Sequence, residues 1–283
     1  MEKVLFQIIA LDAIGVGIFA LLTQSFRWRD KRDRIRRPIE IKLLRAPGAS
    51  LSTKLENLYE SALGWLATLI FVPFVVMLVG QRERTTFAAA VSVIAIAVCL
   101  WQLYRIAART RDYKLGLLGE RVVAEELNQL MLDGCRVFHD FPAGRIGNID
   151  HIVVAPSGVY VIETKTWRKR GKANAKDYEL TFDGSKLLFP HRVETDALDQ
   201  ARDLAARLSE KLTAATAESV KVNPIVTFPG WMIKRTGRGD VNVLNPAEIR
   251  EAIIWPDKAP VLSAAQTQRV VSHIEDKCRD VEL

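Results

Sequence analysis

The chain has 283 residues, of which 26% are charged and 11 are proline, so it is not collagen-like, low-complexity or wholly disordered. Its three cysteines are far apart and form no C-x-x-C pair, which excludes a disulfide scaffold and a zinc ribbon. The net charge of +7 is unevenly placed, because 17 Lys/Arg and 9 Asp/Glu precede Leu115 whereas 23 and 24 follow it. The basic excess therefore belongs to the first part of the chain.

Three apolar runs in that first part approach the roughly 20 residues that cross a bilayer. They are residues 4–22, 62–79 and 87–104. The third has no charged residue, the second contains Pro73, which we expect to kink the helix, and the first carries Gln7 and Asp12 and is the weakest. A cleaved signal peptide competes for the first run, but no small-residue cleavage site follows it. The pattern predicts three transmembrane helices within a membrane anchor at residues 1–110.

The basic residues predict the orientation of this anchor. Residues 27–45 hold nine Lys/Arg against three acidic residues, whereas the loop between the second and third runs offers only Arg82 and Arg84. Basic loops stay in the cytoplasm, so the segment 24–61 and everything after Arg105 are expected there. We therefore expect a multi-pass protein of the cell inner membrane with the lipid bilayer as a partner. Association of copies through the spans is a further option.

The second part, residues 111–283, alternates helical and strand patterns and has the size of one domain. The predicted elements are a helix at 115–132, a strand at 135–141, a hairpin of 148–155 and 158–165, a second, exposed hairpin at 178–189, a helix at 194–212, strands at 222–228 and 241–244, and helices at 246–254 and 262–276. This order predicts an α/β domain with a mixed sheet and helices on its faces.

The first hairpin carries residues suited to catalysis. Glu163 and Lys165 are two apart on a strand and leave the same face, and the turn at 156–158 brings Asp150 opposite them. Two carboxylates could hold Mg²⁺ (or Mn²⁺) for phosphodiester hydrolysis. Lys165 could orient or deprotonate a water, or stabilise charge on the phosphate. Taken alone, an E-x-K pattern is more often a pair of surface charges.

Two sequence stretches resemble a known family. LGLLGE at 115–120 and GNIDHIVVAPSGVYVIETKTW at 147–167 resemble the NERD (nuclease-related) domain, which is grouped by resemblance with the PD-(D/E)xK restriction-endonuclease-like proteins. The resemblance covers about 115–230. It implies a restriction-endonuclease-like mixed sheet flanked by helices, here preceded by the three transmembrane helices.

The resemblance also implies roles for individual residues. Asp150 and Glu163 would be the metal ligands and Lys165 the catalytic lysine. Glu120 would be a further acidic residue of the catalytic group, and Gln200 would match the helix glutamine that such domains place beside the site. His151, which follows Asp150, is expected to point to the opposite strand face and to be structural.

A second set of residues is predicted to contact nucleic acid, because an aromatic ring beside cations suits a phosphate backbone. The set comprises Arg145, Trp167, Arg168, Lys169, Arg170 and Lys172. A solvated surface loop is the competing interpretation. The expected substrate is nucleic acid, with DNA favoured over RNA.

The sequence therefore predicts a membrane-anchored, Mg²⁺-dependent nuclease that faces the cytoplasm. The first alternative is a non-catalytic nucleic-acid-binding or signalling module tethered to the membrane, since a fold does not guarantee its chemistry. In the second alternative the spans carry the function and the domain regulates them. The only residues that support this alternative are Gln7 and Asp12.

Overall fold

The computed structural model describes residues 42–79, 85–144, 147–169, 178–255 and 262–279, together with Ser25 and Trp28. These residues form two compact units. The first is Leu55–Arg111, and the second combines Lys42–Lys54 with the chain from Asp112 onward. The segment Lys42–Lys54, which the sequence placed in the anchor half, thus belongs to the second unit.

The first unit is helical. Its residues come from helix α1 (Ala49–Val79) and helix α2 (Thr85–Asn128), which contain the second and third apolar runs. Within the described residues one helical stretch, Ala89–Asp133, is long and apolar enough to cross a membrane. Its most apolar 18-residue window has a mean hydropathy of 1.8 and is 6% buried. One candidate span is therefore found rather than three, and the predicted run 4–22 lies outside the described residues.

The second unit is built on two β-sheets, as the α/β prediction required. The strands in chain order are β1 (Arg136–Pro142), β2 (Asn148–Ala155), β3 (Gly158–Thr164), β4 (Glu179–Phe182), β5 (Leu187–Phe189), β6 (Arg192–Glu194), β7 (Val222–Thr227), β8 (Met232–Arg235) and β9 (Asn242–Leu244). The larger sheet has the order β1-β2-β3-β7-β9. Its first three strands are antiparallel, whereas β7 pairs with β3 in parallel and β9 pairs with β7 in parallel, which confirms a mixed sheet.

The hairpin of β2 and β3 is set by its turn and by its β-branched residues. Ala155 pairs with Gly158, and Gly158 has φ 140, a backbone conformation that side chains disfavour. The five last residues of β2 and the six first of β3 are buried. Because both faces are covered, these strands read as almost continuous apolar runs.

Helices cover both faces of the larger sheet. They are α3 (Asp196–Thr216), α4 (Pro246–Ile254) and α5 (Ala264–Cys278). Leu204, Leu208 and Leu212 recur at helical spacing on α3 and pack with α5 into one apolar core, while α2 and α4 complete a second core on the other face. Helix α3 therefore packs against both the antiparallel strands and β7.

The smaller sheet has the order β6-β5-β4-β8. Its β4–β5 hairpin was predicted, but as an exposed element, and this part of the prediction was wrong. Leu180 and Leu187 are fully buried in a core that includes Phe228 and Trp231. Strand β8 pairs with β4 in parallel from a distant part of the chain, so local sequence patterns gave no signal for the buried face.

Candidate active site at the end of strand β3

The hairpin brings Asp150 and Glu163 together. The ladder of β2 and β3 pairs His151 with Ile162, so Asp150 and Glu163 are the next residues on the two strands. The Oδ2 atom of Asp150 accepts a hydrogen bond of 2.7 Å from the backbone N–H of Thr164. This bond ties the Asp150 carboxylate to the strand that carries Glu163, as the position of the turn predicted.

Lys165 lies between an acidic residue and an amide. Its Nζ atom donates to Oε1 of Glu163 at 2.8 Å and to Oε1 of Gln200 at 2.7 Å. The Lys165 backbone N–H donates to the carbonyl of Thr227 on β7 at 2.9 Å, which fixes the chain just after β3. Gln200 comes from α3, so the ammonium group is oriented by two different elements.

Glu120 approaches the same site from helix α2 and is 7% exposed. Burial raises its pKa to about 7, and the charges of Asp140 and Glu163 act in the same direction. Lys54 and a hydrogen bond from the backbone of Gly48 act against this rise. The Oε2 atom of Glu120 is buried and has no hydrogen-bond partner within the described residues.

The other two carboxyl groups are also crowded. Burial raises the pKa of Asp150 well above its ordinary value, and Glu163 and Glu120 add repulsion. Burial likewise raises the pKa of Glu163, against the attraction of Lys165. The Oε2 atom of Glu163 is a second buried oxygen that lacks a partner within the described ranges. Three acids with one adjacent ammonium leave negative charge uncompensated, so the site favours a further cation or protons.

This donor set fits a hard divalent cation. Carboxylate oxygens are its preferred protein ligands, and Mg²⁺ is commonly held by only one or two carboxylates plus water and substrate phosphate. In the part of the chain that the structure describes, no group of three or more His, Cys, Asp or Glu side chains is arranged to hold a metal ion.

A glycine allows the two halves of the site to approach. A Cβ atom on Gly119 would lie 1.9 Å from Cγ2 of Thr166, far closer than atoms can pack. Because Gly119 precedes Glu120 and Thr166 follows Lys165, the bare backbone at 119 lets helix α2 reach the end of β3. The second glycine of the LGLLGE motif is therefore required on steric grounds, because a side chain there would overlap Thr166.

Asp140 is an acidic residue that the sequence analysis missed. It ends up 2% exposed with φ 52, a left-handed conformation that is uncommon for residues other than glycine. Asn148 donates to its Oδ1 atom at 3.1 Å. Its charge also contributes to the raised pKa of Glu120. No motif marked it, because its partners come from separate segments.

The histidine after Asp150 lies on the opposite face of β2, where it was expected. The Nδ1 atoms of His139 and His151 are 2.8 Å apart, so one neutral ring donates to the other. Burial lowers the pKa of His139 to about 4 and lowers that of His151 well below its ordinary value. Both rings are therefore neutral near pH 7, although the charge of Asp140 acts against the lowered pKa of His139.

Three of the predicted nucleic-acid contacts lie just after Lys165. The guanidinium of Arg192 covers one face of the Trp167 ring at 3.4 Å from its centroid, and Phe189 and Phe228 pack around it. Trp167 thus belongs to the apolar cluster beneath the smaller sheet, and its predicted role in stacking on a base remains a prediction.

The two following cations also have partners. Arg168 forms an ion pair with Asp112 at 2.5 Å, and Nζ of Lys169 lies 6.0 Å from the Tyr178 ring and 5.8 Å from the Trp231 ring. Their contact with nucleic acid stays a prediction. The remaining predicted contacts, Arg145, Arg170 and Lys172, lie outside the described residues.

Comparison with known proteins gives one match. Residues 115–229 match the family model described as the nuclease-related domain, NERD. This range contains Glu120, Asp150, Glu163, Lys165 and Gln200. No curated protein and no solved structure matched the chain. The match supports a nuclease-related function for this part of the chain.

Proposed function

We propose that the second unit is a metal-dependent nuclease that hydrolyses phosphodiester bonds of nucleic acid, with DNA as its substrate, on a restriction-endonuclease-like fold. The observation that carries this proposal is the Nζ atom of Lys165, held within 2.8 Å of both Glu163 and Gln200, beside the Asp150 carboxylate that the backbone N–H of Thr164 holds at the same end of the hairpin. Together with the nuclease-related match at 115–229, this geometry favours catalysis over a surface charge pair.

The chemistry assigned to each side chain follows from its contacts. Asp150 and Glu163 would hold Mg²⁺ or Mn²⁺, which when bound polarises the phosphate and makes a water more acidic. In the reaction a water oxygen bonds to phosphorus and loses a proton, the bond from phosphorus to the leaving oxygen breaks, and the leaving oxygen takes up a proton, so that the products are a phosphate monoester and an alcohol. Lys165 is placed to stabilise the negative charge that develops on the phosphate oxygens, while Gln200 orients its ammonium group.

The proposed metal dependence can be tested on the full chain purified in detergent. We expect cleavage of plasmid, linear or single-stranded DNA with Mg²⁺ or Mn²⁺, and no cleavage in EDTA. Asp150→Asn or Glu163→Gln should each lower the rate by about 100-fold or more, since each removes a carboxylate charge that would hold the cation. The exposed helix residue Asp203 provides the control Asp203→Asn, which should cleave like wild type.

Two results would contradict this assignment. Cleavage that survives EDTA would exclude metal dependence, and cleavage that survives both carboxylate substitutions would exclude this site. Nucleic-acid binding without cleavage, unchanged by Mg²⁺ and by the two substitutions, would instead support a non-catalytic module tethered to the membrane.

We further propose that the first unit anchors the protein in the cell inner membrane, with the second unit in the cytoplasm. The 18-residue apolar window within the helix Ala89–Asp133 and the basic residues at 27–45 support this proposal.

After cell fractionation the full chain should remain in the membrane pellet through alkaline carbonate washing. The wash disrupts electrostatic contacts with the membrane surface, and these do not hold a helix that is embedded in the bilayer. Protease added to spheroplasts should leave the second unit intact. Release by carbonate would contradict the anchor, and digestion of the second unit from outside would contradict the orientation.

A further inference from the structure

The segment Lys42–Lys54 belongs to the compact unit that contains the acidic site, although it precedes Glu120 by a long stretch of chain. It also lies outside the matched range 115–229. One end is held by the C-terminal helix, since the N–H of Arg45 donates to the carbonyl of Cys278 at 3.0 Å and Arg279 donates to the carbonyl of Lys42 at 3.3 Å.

The middle of this segment holds Asp140. Ser50 donates to the two carboxylate oxygens of Asp140, from its backbone N–H at 2.9 Å and from its hydroxyl at 2.7 Å. Arg45 donates to the Asp140 carbonyl at 3.0 Å and lies 3.4 Å from Oδ2. These bonds hold the left-handed backbone at Asp140 (φ 52), a conformation that persists only where surrounding contacts fix it.

The same segment reaches Glu120. A Cβ atom on Gly48 would lie 3.4 Å from Oε2 of Glu120, and the Gly48 backbone and the charge of Lys54 both act to lower the pKa of that carboxyl group. Gly48 has φ +70, and a Cβ atom there would lie 2.3 Å from Cδ1 of Leu117. Glycine is therefore required for this close approach of the segment to helix α2.

We infer that the segment Lys42–Lys54 is a working part of the acidic site, in which Ser50 is a positioning residue that holds Asp140 and thereby places Gly48 against Glu120. This inference rests on the proposed function, because Glu120 lies close enough to Glu163, which is assigned to cation binding, for their charges to interact. It assigns a role in the site to residues that the nuclease-related match does not include.

The test uses the full chain in detergent and measures Mn²⁺ binding by titration calorimetry, independently of cleavage. Ser50→Ala should weaken Mn²⁺ binding by about 10-fold, the effect of losing a residue that orients metal ligands. Ser50→Thr, which keeps the hydroxyl, should restore it. Thr53→Ala is the matched control. Thr53 lies in the same segment, and its hydroxyl donates to the carbonyl of Ala49 in the same helix.

A double substitution distinguishes a merely structural role of Ser50 from a role that acts through Glu120. If Ser50 acts through Glu120, Ser50→Ala should change Mn²⁺ affinity little in a chain that already carries Glu120→Gln. Independent, additive losses would overturn the inference, as would wild-type affinity in Ser50→Ala.

Hydrogen exchange of the amides at 115–121 provides a readout that does not depend on metal or activity. Exchange should be faster in Ser50→Ala than in wild type, and equal exchange would overturn the inference. A wild-type chain that neither binds Mn²⁺ nor cleaves DNA would refute the proposed function, while the exchange experiment still decides whether the segment holds this helix.

Discussion

Replacing Lys165 by Met should abolish cleavage, with a loss of at least about 100-fold in kcat, because in the proposed mechanism the ammonium stabilises the charge on the phosphate. Met has a similar length and keeps the packing of the stem. Lys165→Arg should rescue little, since a planar guanidinium cannot take the same place between Glu163 and Gln200. Single-turnover rates on a DNA duplex with saturating Mg²⁺ would measure the chemical step directly.

The matched control for this prediction is Lys234→Met. Lys234 also forms an ion pair, with Glu179 at 2.6 Å, but on the smaller sheet. Its loss should leave kcat within about twofold, as for most exposed pairs. If Lys165→Met retains folding by circular dichroism and cleaves at the wild-type rate, the lysine has no catalytic role. The mechanism proposed for this site would then be wrong.

Gly119→Ala should be the most damaging change that leaves every polar group of the site in place. The added methyl group would occupy the position of the Thr166 side chain, so helix α2 and the end of β3 must move apart. Overpacking of this kind costs about 1–3 kcal/mol in the free energy of unfolding. Because Glu120 and Lys165 adjoin the two residues, we expect cleavage to fall more than stability does.

A compensating variant tests the steric explanation. Thr166→Ala removes the methyl group in question, so Gly119→Ala combined with Thr166→Ala should recover part of both stability and cleavage. Gly64→Ala is the control, because none of the residues that the structure describes lies within 4 Å of a Cβ atom there. Equal stability of Gly119→Ala and wild type in urea unfolding would show that the backbone at 119 tolerates a side chain.

The part of the site that could be predicted from the sequence is the part that is local in the chain. Asp150, Glu163 and Lys165 lie on one hairpin, and the period-2 rule with a tight turn is sufficient to bring them together. Glu120 and Gln200 come from distant helices, and only resemblance to the nuclease-related family pointed to them. Their convergence at β3 depends on how α2 and α3 pack on opposite sides of the sheet.

The features that were missed depend on contacts between distant segments. The partners of Asp140 include Ser50, and no spacing rule links two such residues. The buried face of the β4–β5 hairpin depends on Phe228, Trp231 and the parallel strand β8, which follow much later in the chain. A half-apolar hairpin considered alone cannot show whether another element will cover it.

The position of β3 in the middle of the larger sheet predicts the order in which parts of the site are lost on heating. The strand is bordered by β2 on one side and β7 on the other, and Glu163 is 3% exposed. Such a strand opens only when the whole unit melts, whereas a segment secured by a few side-chain bonds detaches at a lower temperature. Warming should therefore abolish the proposed cleavage reversibly, through release of residues 42–54, before the β-sheet signal is lost.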